Sequence, residues 1–355
     1  MTDELKHYRD RIDAIDDEIL ELLNERARHA QDIGHLKNGQ GIYRPDREAQ
    51  VIRRIREKNK GPLSDNVIGN LFREIMSACL ALEKPLDIAF LGPLGTWSHA
   101  AAIKHFGQFA RLCPTASIDE VFHKVEAGHA DYGLVPVENS TEGAVGRTLD
   151  LLLETPLAIC GEVALPIHHC LLSKETSLQA VQTVYSHAQS LGQCHEWLGL
   201  HLAGAERLSV VSNAEAARRA SQEQGVAAIA SKVAGELYGL NLLVENIEDE
   251  LQNTTRFLVL GRHAAAPTGV DRTSLVLAAA NRPGAMFDML APFAAHSVSL
   301  TKLESRPSRV ALWEYVFYLD VEGHVDDEPV KLAIKEVTQR ASYVKVLGSY
   351  PVAPL

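Results

Sequence analysis

The sequence predicts a multidomain fold in three parts: an all-α segment over residues 1–85, a two-lobed α/β segment over 86–262, and a small α+β segment over 272–351. Its 355 residues exceed what one ordinary core organises. Asp3 to Lys37 is proline-free with apolar residues at alternating spacings of three and four. Residues 87–261 alternate short apolar runs with helical stretches, and the remainder follows the order βαββαβ.

Composition bounds the chemistry. The net charge of −11 is unevenly placed: residues 1–85 hold 15 Lys+Arg against 16 Asp+Glu, leaving 20 against 30 for the rest. That excess of acid repels nucleic acid over most of the surface, so anionic ligands must be held by local clusters. Cys79, Cys113, Cys160, Cys170 and Cys194 are odd in number and form no C-x-x-C pair, which argues against a disulfide framework and a zinc site. They read as reduced thiols of a cytoplasmic protein. The charged start Met1-Thr2-Asp3-Glu4 lacks the apolar core of a signal peptide, and no run is long enough to span a bilayer, so no membrane partner is expected. His168 and His169 have no third ligand at useful spacing and read as structural, so no metal or other cofactor is expected.

The first segment opens on one long helix. Leu5, Tyr8, Ile12, Ile15, Ile19 and Leu22 form a heptad seam that continues through Arg26, His29, Ile33 and Leu36. About 35 residues at 1.5 Å each make roughly 50 Å of helix, longer than the partners that follow, so a second copy from another subunit is expected. Arg26 in that seam calls for an anion, because a buried, unpaired guanidinium is costly. Arg9 and Lys37 flank the same stripe, although each alone could snorkel to water or pair with Glu18, Glu25 or Asp32. Pro45 suits the first turn of a second helix, and a third runs from the Ser64-Asp65 cap to Glu83-Lys84-Pro85.

Arg9, Arg26, Lys37, Asp46-Arg47-Glu48 and Leu71-Phe72-Arg73-Glu74-Ile75 resemble the all-helical chorismate mutase, an intertwined dimer. The resemblance implies a chorismate site formed by Arg26, Lys37, Arg47, Glu48, Cys79 and Glu83, with Arg9 from the neighbouring subunit. Bidentate arginines suit the two carboxylates of chorismate. The cofactor-free rearrangement needs only a held conformer and stabilisation of charge on the ether oxygen, the part implied for Lys37 and Glu83. Cys79 and Glu83 stand where some members carry Ser and Gln. Glu83 would have to be protonated to donate, so mutase activity is expected to fall as pH rises.

In the second segment Ile88–Leu91 reads as a strand that enters the turn Gly92-Pro93-Leu94-Gly95-Thr96-Trp97-Ser98 and a helix from His99. Such a turn can hold an anion or merely join two elements, and it lacks the spacing of a nucleotide-binding loop. A helix from Ser117 leads to strand Tyr132–Val137, which runs out into Glu138-Asn139-Ser140-Thr141-Glu142-Gly143. Open α/β sheets bind ligands at such strand ends. A second lobe is expected to include Ala164–Ser173, Val181–Ser186, a helix through Gln193 and Trp197, another from Ser212, and strand Val226–Ala230. Then Asn253-Thr254-Thr255-Arg256-Phe257 runs straight into the apolar Leu258-Val259-Leu260, placing polar groups at a strand mouth. Trp97 and Trp197 read as packing residues.

Gly92 to Ser98, Val135-Pro136-Val137-Glu138-Asn139-Ser140, Ser186 to Cys194 and Thr254-Thr255-Arg256-Phe257 resemble prephenate dehydratase, four motifs in order. The resemblance implies a fold like a two-lobed periplasmic binding protein. It makes Thr255 the catalytic hydroxyl that assists departure of the ring hydroxyl while the ring carboxylate leaves as carbon dioxide. Glu138, Asn139, Ser186, Gln193, Thr254, Arg256 and Phe257 would bind or orient prephenate. Threonine is a poor acid alone, so Glu138 is taken as its proton source.

Ala264 to Gly269 reads as a linker. Strand Thr273–Ala280, helix Ala285–Ala295, strands Leu300–Ser305 and Ala311–Asp320, helix Pro329–Ala341 and strand Tyr343–Ser349 make a ferredoxin-like arrangement without a catalytic cluster. Gly284-Ala285-Met286 and Leu303-Glu304-Ser305-Arg306-Pro307 resemble the ACT domain of feedback-regulated prephenate dehydratases. That resemblance implies an L-phenylalanine site at a subunit interface, formed by Gly284, Ala285, Met286, Glu304, Ser305, Arg306 and Pro307. The whole chain is expected to be a homodimer or larger that takes chorismate through prephenate to phenylpyruvate. Dehydration of arogenate, or ligand sensing by lobes that have lost catalysis, are the rival readings.

Overall fold

The computed structural model describes residues 2–36, 43–250, 252–279, 282–307 and 315–353. These divide into two compact units: Met1–Leu86 with Phe106–Arg111, and Asp87–His105 with Leu112–Leu355.

The first unit holds helices α1 (Thr2–Leu36), α2 (Pro45–Lys58) and α3 (Asp65–Glu83). Pro45 opens α2 where its missing N–H costs nothing, and Ser64 caps α3 by accepting from the Val67 N–H. At Gly34, α1 lies against the end of α3, since a Cβ there would overlap the Glu83 carboxyl. Phe106 joins this unit by packing its ring on Tyr43, centroids 5.5 Å apart. The amino-terminal part of α1 has no such cover. Its seam residues Leu5, Tyr8, Ile12, Ile15, Ile19 and Leu22 are 40–63% exposed.

The second unit continues with β1 (Asp87–Leu91), α4 (Trp97–Phe106), β2 (Arg111–Thr115), α5 (Ile118–Glu126), β3 (Tyr132–Asn139), β4 (Gly143–Ala144), α6 (Gly146–Glu154) and β5 (Ala158–Pro166). The second lobe comprises β6 (Cys170–Ser173), β7 (Thr183–Ser186), α7 (Ala188–Gln193), α8 (His195–His201), β8 (Glu206–Ser209), α9 (Asn213–Ala220), β9 (Val226–Ala230), α10 (Lys232–Tyr238) and β10 (Asn241–Val244). The chain then returns as β11 (Thr254–Gly261). It ends in β12 (Asp271–Ala278), α11 (Ala285–Ala295), β13 (Leu300–Pro307), β14 (Tyr315–Glu322), α12 (Glu328–Arg340) and β15 (Tyr343–Pro351). Ala280 and residues 311–314 of the expected strands lie outside the described residues.

Among the described residues there are three sheets, ordered β2-β1-β3-β11-β5 with β4 beside β3, β10-β6-β9-β7-β8, and β13-β14-β12-β15. The last, antiparallel throughout its pairings, shares a core with the first lobe through Ile159, Leu258, Val276, Tyr318, Leu347 and Tyr350. Gly348 permits that approach, since a Cβ there would collide with the Ile159 backbone.

One expectation is corrected. Ala164–Ser173 does not lie wholly in the second lobe: β5 stays in the first sheet until Pro166, which has no N–H to extend the ladder. Residues 167–169 instead cross between lobes beside the returning crossover, with Ile167 N donating to Asn253 O (2.8 Å) and Ile247 N to His169 O (3.0 Å). His169 and Asn253 therefore lie where the two lobes join.

Candidate active site

The lobes face each other across a cleft of about 540 Å³. Strand alternation decides what enters it. Asn253, Thr255 and Phe257 line the cleft, whereas Arg256 and Leu258 face a different cavity on the other side of the sheet. On β3 the partners follow suit: Thr255 is opposite Asn139 and Arg256 is opposite Glu138, with a bulge beyond that pair restoring Pro136 to the cleft face.

The floor of the cleft is a run of amide and hydroxyl groups. Asn139 Nδ2 donates to Thr255 Oγ1 (2.8 Å) and Asn253 Oδ1 (2.7 Å), while Asn139 Oδ1 accepts the backbone N–H groups of Thr141 (3.0 Å) and Glu142 (3.1 Å). Asn253 Nδ2 reaches Gln193 Oε1 (3.3 Å), which His169 Nε2 also meets at 2.8 Å. Because Asn139 fills one side of the Thr255 oxygen, the Thr255 hydroxyl hydrogen is left to donate elsewhere.

The walls offer donors and, at Glu142, one carboxylate. Thr96, Trp97 and Ser98 stand at the start of α4, and Ser212 and Asn213 at the start of α9, so two helix N-termini open on the cleft. Gly95 shapes the first, with φ +87 and its carbonyl accepting from Ser231 Oγ across the lobes (2.9 Å). Among the described lining residues there is no Lys or Arg. Trp97, read as packing, lines the cleft with its ring edge-on to His169, centroids 5.6 Å apart. Trp197 instead stacks on His201.

Several expected site residues lie elsewhere. Arg256 is held behind the sheet by Glu162 (2.8 Å), Asp320 (2.6 Å) and the Tyr350 hydroxyl (2.8 Å). Burial opposes its charge, but Tyr350, Asp320 and Glu162 outweigh that and raise its pKa. Glu138 shares that face and accepts from Lys302 Nζ at 2.8 Å. It has no direct route to Thr255, so its role as proton source is withdrawn. Ser186 is fully buried, with its Oγ near Asn213 Oδ1 (3.0 Å) and the Ile229 carbonyl (2.9 Å), so it steadies Asn213 rather than facing a ligand. The Thr254 side chain is outside the cleft lining, and its N–H donates to Ser140 Oγ (3.0 Å). Asn139, Gln193, Thr255 and Phe257 do meet there. Asn253, Asn213, His169 and Glu142 join them without having been singled out as site residues. For Asn253 the signal was present, two residues before Thr255 on a strand of period two.

In the helical unit Arg9 is exposed and Arg26 half-buried. Seventeen residues of helix separate them, about 25 Å at 1.5 Å per residue, too far for one small dicarboxylate. Lys37 lies outside the described residues. Arg47 is exposed, and Cys79 is buried in α3. Glu48 lies 3.5 Å from Arg73. Burial pushes the Glu48 carboxyl up to about 7 against the opposing pull of Arg73 and Tyr43.

In the third sheet Gly284 precedes α11 with φ +78, and Ala285 and Met286 form its first turn. Glu304, Ser305, Arg306 and Pro307 end the edge strand β13. Arg306 reaches Asp150 of the first lobe at 3.3 Å. Among the described residues no group of three or more His, Cys, Asp and Glu is placed to hold a metal ion, and no helix is long and apolar enough to cross a membrane.

Comparison with known proteins follows the same division. Residues 8–84 match chorismate mutase type II, 88–265 match prephenate dehydratase and 273–339 match the ACT domain. A bifunctional chorismate mutase/prephenate dehydratase of Neisseria gonorrhoeae is 54% identical over 351 residues, 98% of this chain and 97% of that protein. The prephenate dehydratase of Arthrobacter aurescens in complex with L-Phe is similar in structure, with TM-score 0.69 and 32% identity over 74% of this chain and 89% of that one. GqqA, described as a novel type of quorum quenching acylase, has TM-score 0.70 and 29% identity over 75% of this chain and 98% of its own. With identity of this order along nearly its whole length, the chain belongs to the family of bifunctional chorismate mutase/prephenate dehydratases.

Proposed function

We propose that this chain rearranges chorismate to prephenate in its helical unit and converts prephenate to phenylpyruvate in the cleft, as a cytoplasmic enzyme inhibited by L-phenylalanine. One observation carries the second step: the Thr255 oxygen already accepts from Asn139, so its hydrogen can serve the leaving ring hydroxyl. As the ring carboxylate departs as carbon dioxide, its bonding electrons enter the ring and the C–O bond breaks. The departing hydroxide takes the Thr255 proton and leaves as water, and solvent entering the cleft reprotonates the threonine oxygen. A lining without Lys or Arg among the described residues suits this chemistry. An arginine clamped on the reacting carboxylate would stabilise the ground state, whereas helix N-termini hold an anion without a full opposing charge.

The mutase reading needs a second copy. The exposed seam of α1 and the separation of Arg9 from Arg26 both support a homodimer or larger assembly in which Arg9 comes from the partner. The open edge of β13 supports an effector site for L-phenylalanine at a subunit interface.

Incubation of the full chain with chorismate alone tests the whole reading. Phenylpyruvate is the expected product, without added metal or cofactor. Prephenate accumulating unconverted would leave the mutase and refute the cleft assignment, and untouched chorismate would refute the helical one. Within the mutase, activity is expected to fall as pH rises, and Glu83→Gln to flatten that profile. A slope that survives the substitution would remove Glu83 from the role.

A further inference from the structure

Prephenate brings two carboxylates into a cleft whose described lining has no Lys or Arg and one carboxylate of its own, Glu142. Its ring hydroxyl lies opposite the ring carbon that bears the ring carboxylate and the pyruvyl side chain. With the hydroxyl at Thr255 on β11, a strand of the first lobe, the anionic end points away from that strand toward the second-lobe wall. Glu142 stands on the first-lobe side, in the turn between β3 and β4, and repels the carboxylates from there.

On the second-lobe wall His187 heads α7, lines the cleft and is exposed. It is fixed at two points. Its main-chain N–H donates to Asn213 Oδ1 (3.0 Å), and its ring Nδ1 accepts the Gln189 N–H (3.3 Å). A neutral ring that accepts on Nδ1 carries its hydrogen on Nε2. That donor is turned away from the Gln189 N–H, and among the described residues it meets no acceptor. A neutral N–H holds an anion without a full opposing charge, as the helix starts of the cleft do.

We infer that His187 is a specificity-determining residue of the cleft, its Nε2–H holding the side-chain carboxylate of prephenate, the one that survives into phenylpyruvate. This rests on the dehydratase reading. The ring carboxylate is the wrong partner for such a donor, because its charge must disperse as carbon dioxide forms and a hydrogen bond there would stabilise the ground state. A hold on the surviving carboxylate is equally strong before and during the reaction. It therefore sets affinity, and which end of the substrate enters, rather than rate.

Two substitutions separate this role from simple capping of α7. Asparagine puts an amide where Nδ1 stands, and glutamine puts one where Nε2 stands. His187→Asn thus keeps the cap and loses the far donor, while His187→Gln does the reverse. Both keep the main-chain bond to Asn213 at an exposed position, so the lobe is expected to fold in each. Initial rates of the full chain on prephenate are measured with phenylpyruvate as competitive inhibitor. His187→Asn is expected to raise KM for prephenate and the inhibition constant of phenylpyruvate together by about 10-fold, with kcat changed less than about twofold. His187→Gln is expected to keep both constants within about threefold of the unsubstituted protein. The reverse order, His187→Asn silent and His187→Gln impaired, would reduce the ring to a cap and overturn the inference. So would two silent variants, a fall in kcat alone, or a raised KM with the inhibition constant unchanged, which would put the donor on the ring carboxylate. Failure of the unsubstituted protein to consume prephenate would instead remove the dehydratase reading, and that result is seen before either variant is made.

Discussion

Replacing Thr255 by alanine is expected to lower kcat for prephenate by roughly 10²- to 10⁴-fold while conversion of chorismate to prephenate continues. The substitution removes one hydroxyl and a methyl from a strand whose ladder pairing is main-chain, so the sheet has no reason to change. Asn139 keeps its place too, since its Oδ1 remains anchored by the Thr141 and Glu142 N–H groups and its Nδ2 keeps Asn253. What is lost is the donor to the leaving group. Both activities should be measured on one preparation: parallel loss would indicate a folding defect, and retained dehydratase activity would deny Thr255 the role.

Thr255 was legible because the polar run before Leu258-Val259-Leu260 marks a strand mouth, and strand mouths in α/β lobes face ligands. The α1 seam was legible for a similar reason, as spacing alone puts Leu5 through Leu22 on one stripe and that stripe is uncovered in the chain. Arg256 and Glu138 were misplaced because a motif was read as a block. A strand of period two sends neighbouring side chains to opposite faces, so Thr255 and Asn139 could not share the cleft with Arg256 and Glu138. His169 was hidden for a different reason. Its position depends on where the chain changes sheets, and a paired-histidine run looks like strand until Pro166 is recognised as the end of a ladder. The amide chain was illegible altogether, since it joins residues as far apart as Asn139 and Asn253 whose orientations depend on main-chain groups at a turn.

Arg256→Met provides the sharpest separation between the two readings of that arginine. Held behind the sheet, Arg256 neutralises Glu162 and Asp320, whose side chains are 4% and 9% exposed, and its own is 16% exposed. Removing one partner of such a cluster leaves carboxylates in a poorly solvated place, typically a loss of 3–5 kcal/mol. Glu162 keeps Arg272 (2.5 Å) and the Ala353 N–H (3.0 Å), and Asp320 keeps the Ser274 hydroxyl (2.5 Å), so the expected loss is near the lower end, about 3 kcal/mol. It should appear as a lower denaturant midpoint for the second unit with an unchanged slope. Were Arg256 instead a cation for the substrate, the variant would unfold at the usual midpoint and show a raised KM for prephenate. The geometry favours the first outcome, and with it a direct physical link between the third sheet and the cleft. Asp320 and Tyr350 belong to that sheet, they grip Arg256, and the next residue on the strand is Thr255. Lys302, one residue from the Leu303-Glu304-Ser305 stretch, grips Glu138, whose neighbour is Asn139. A shift of β13 or β14 would therefore move the donor and its partner together, without any change in the cleft walls.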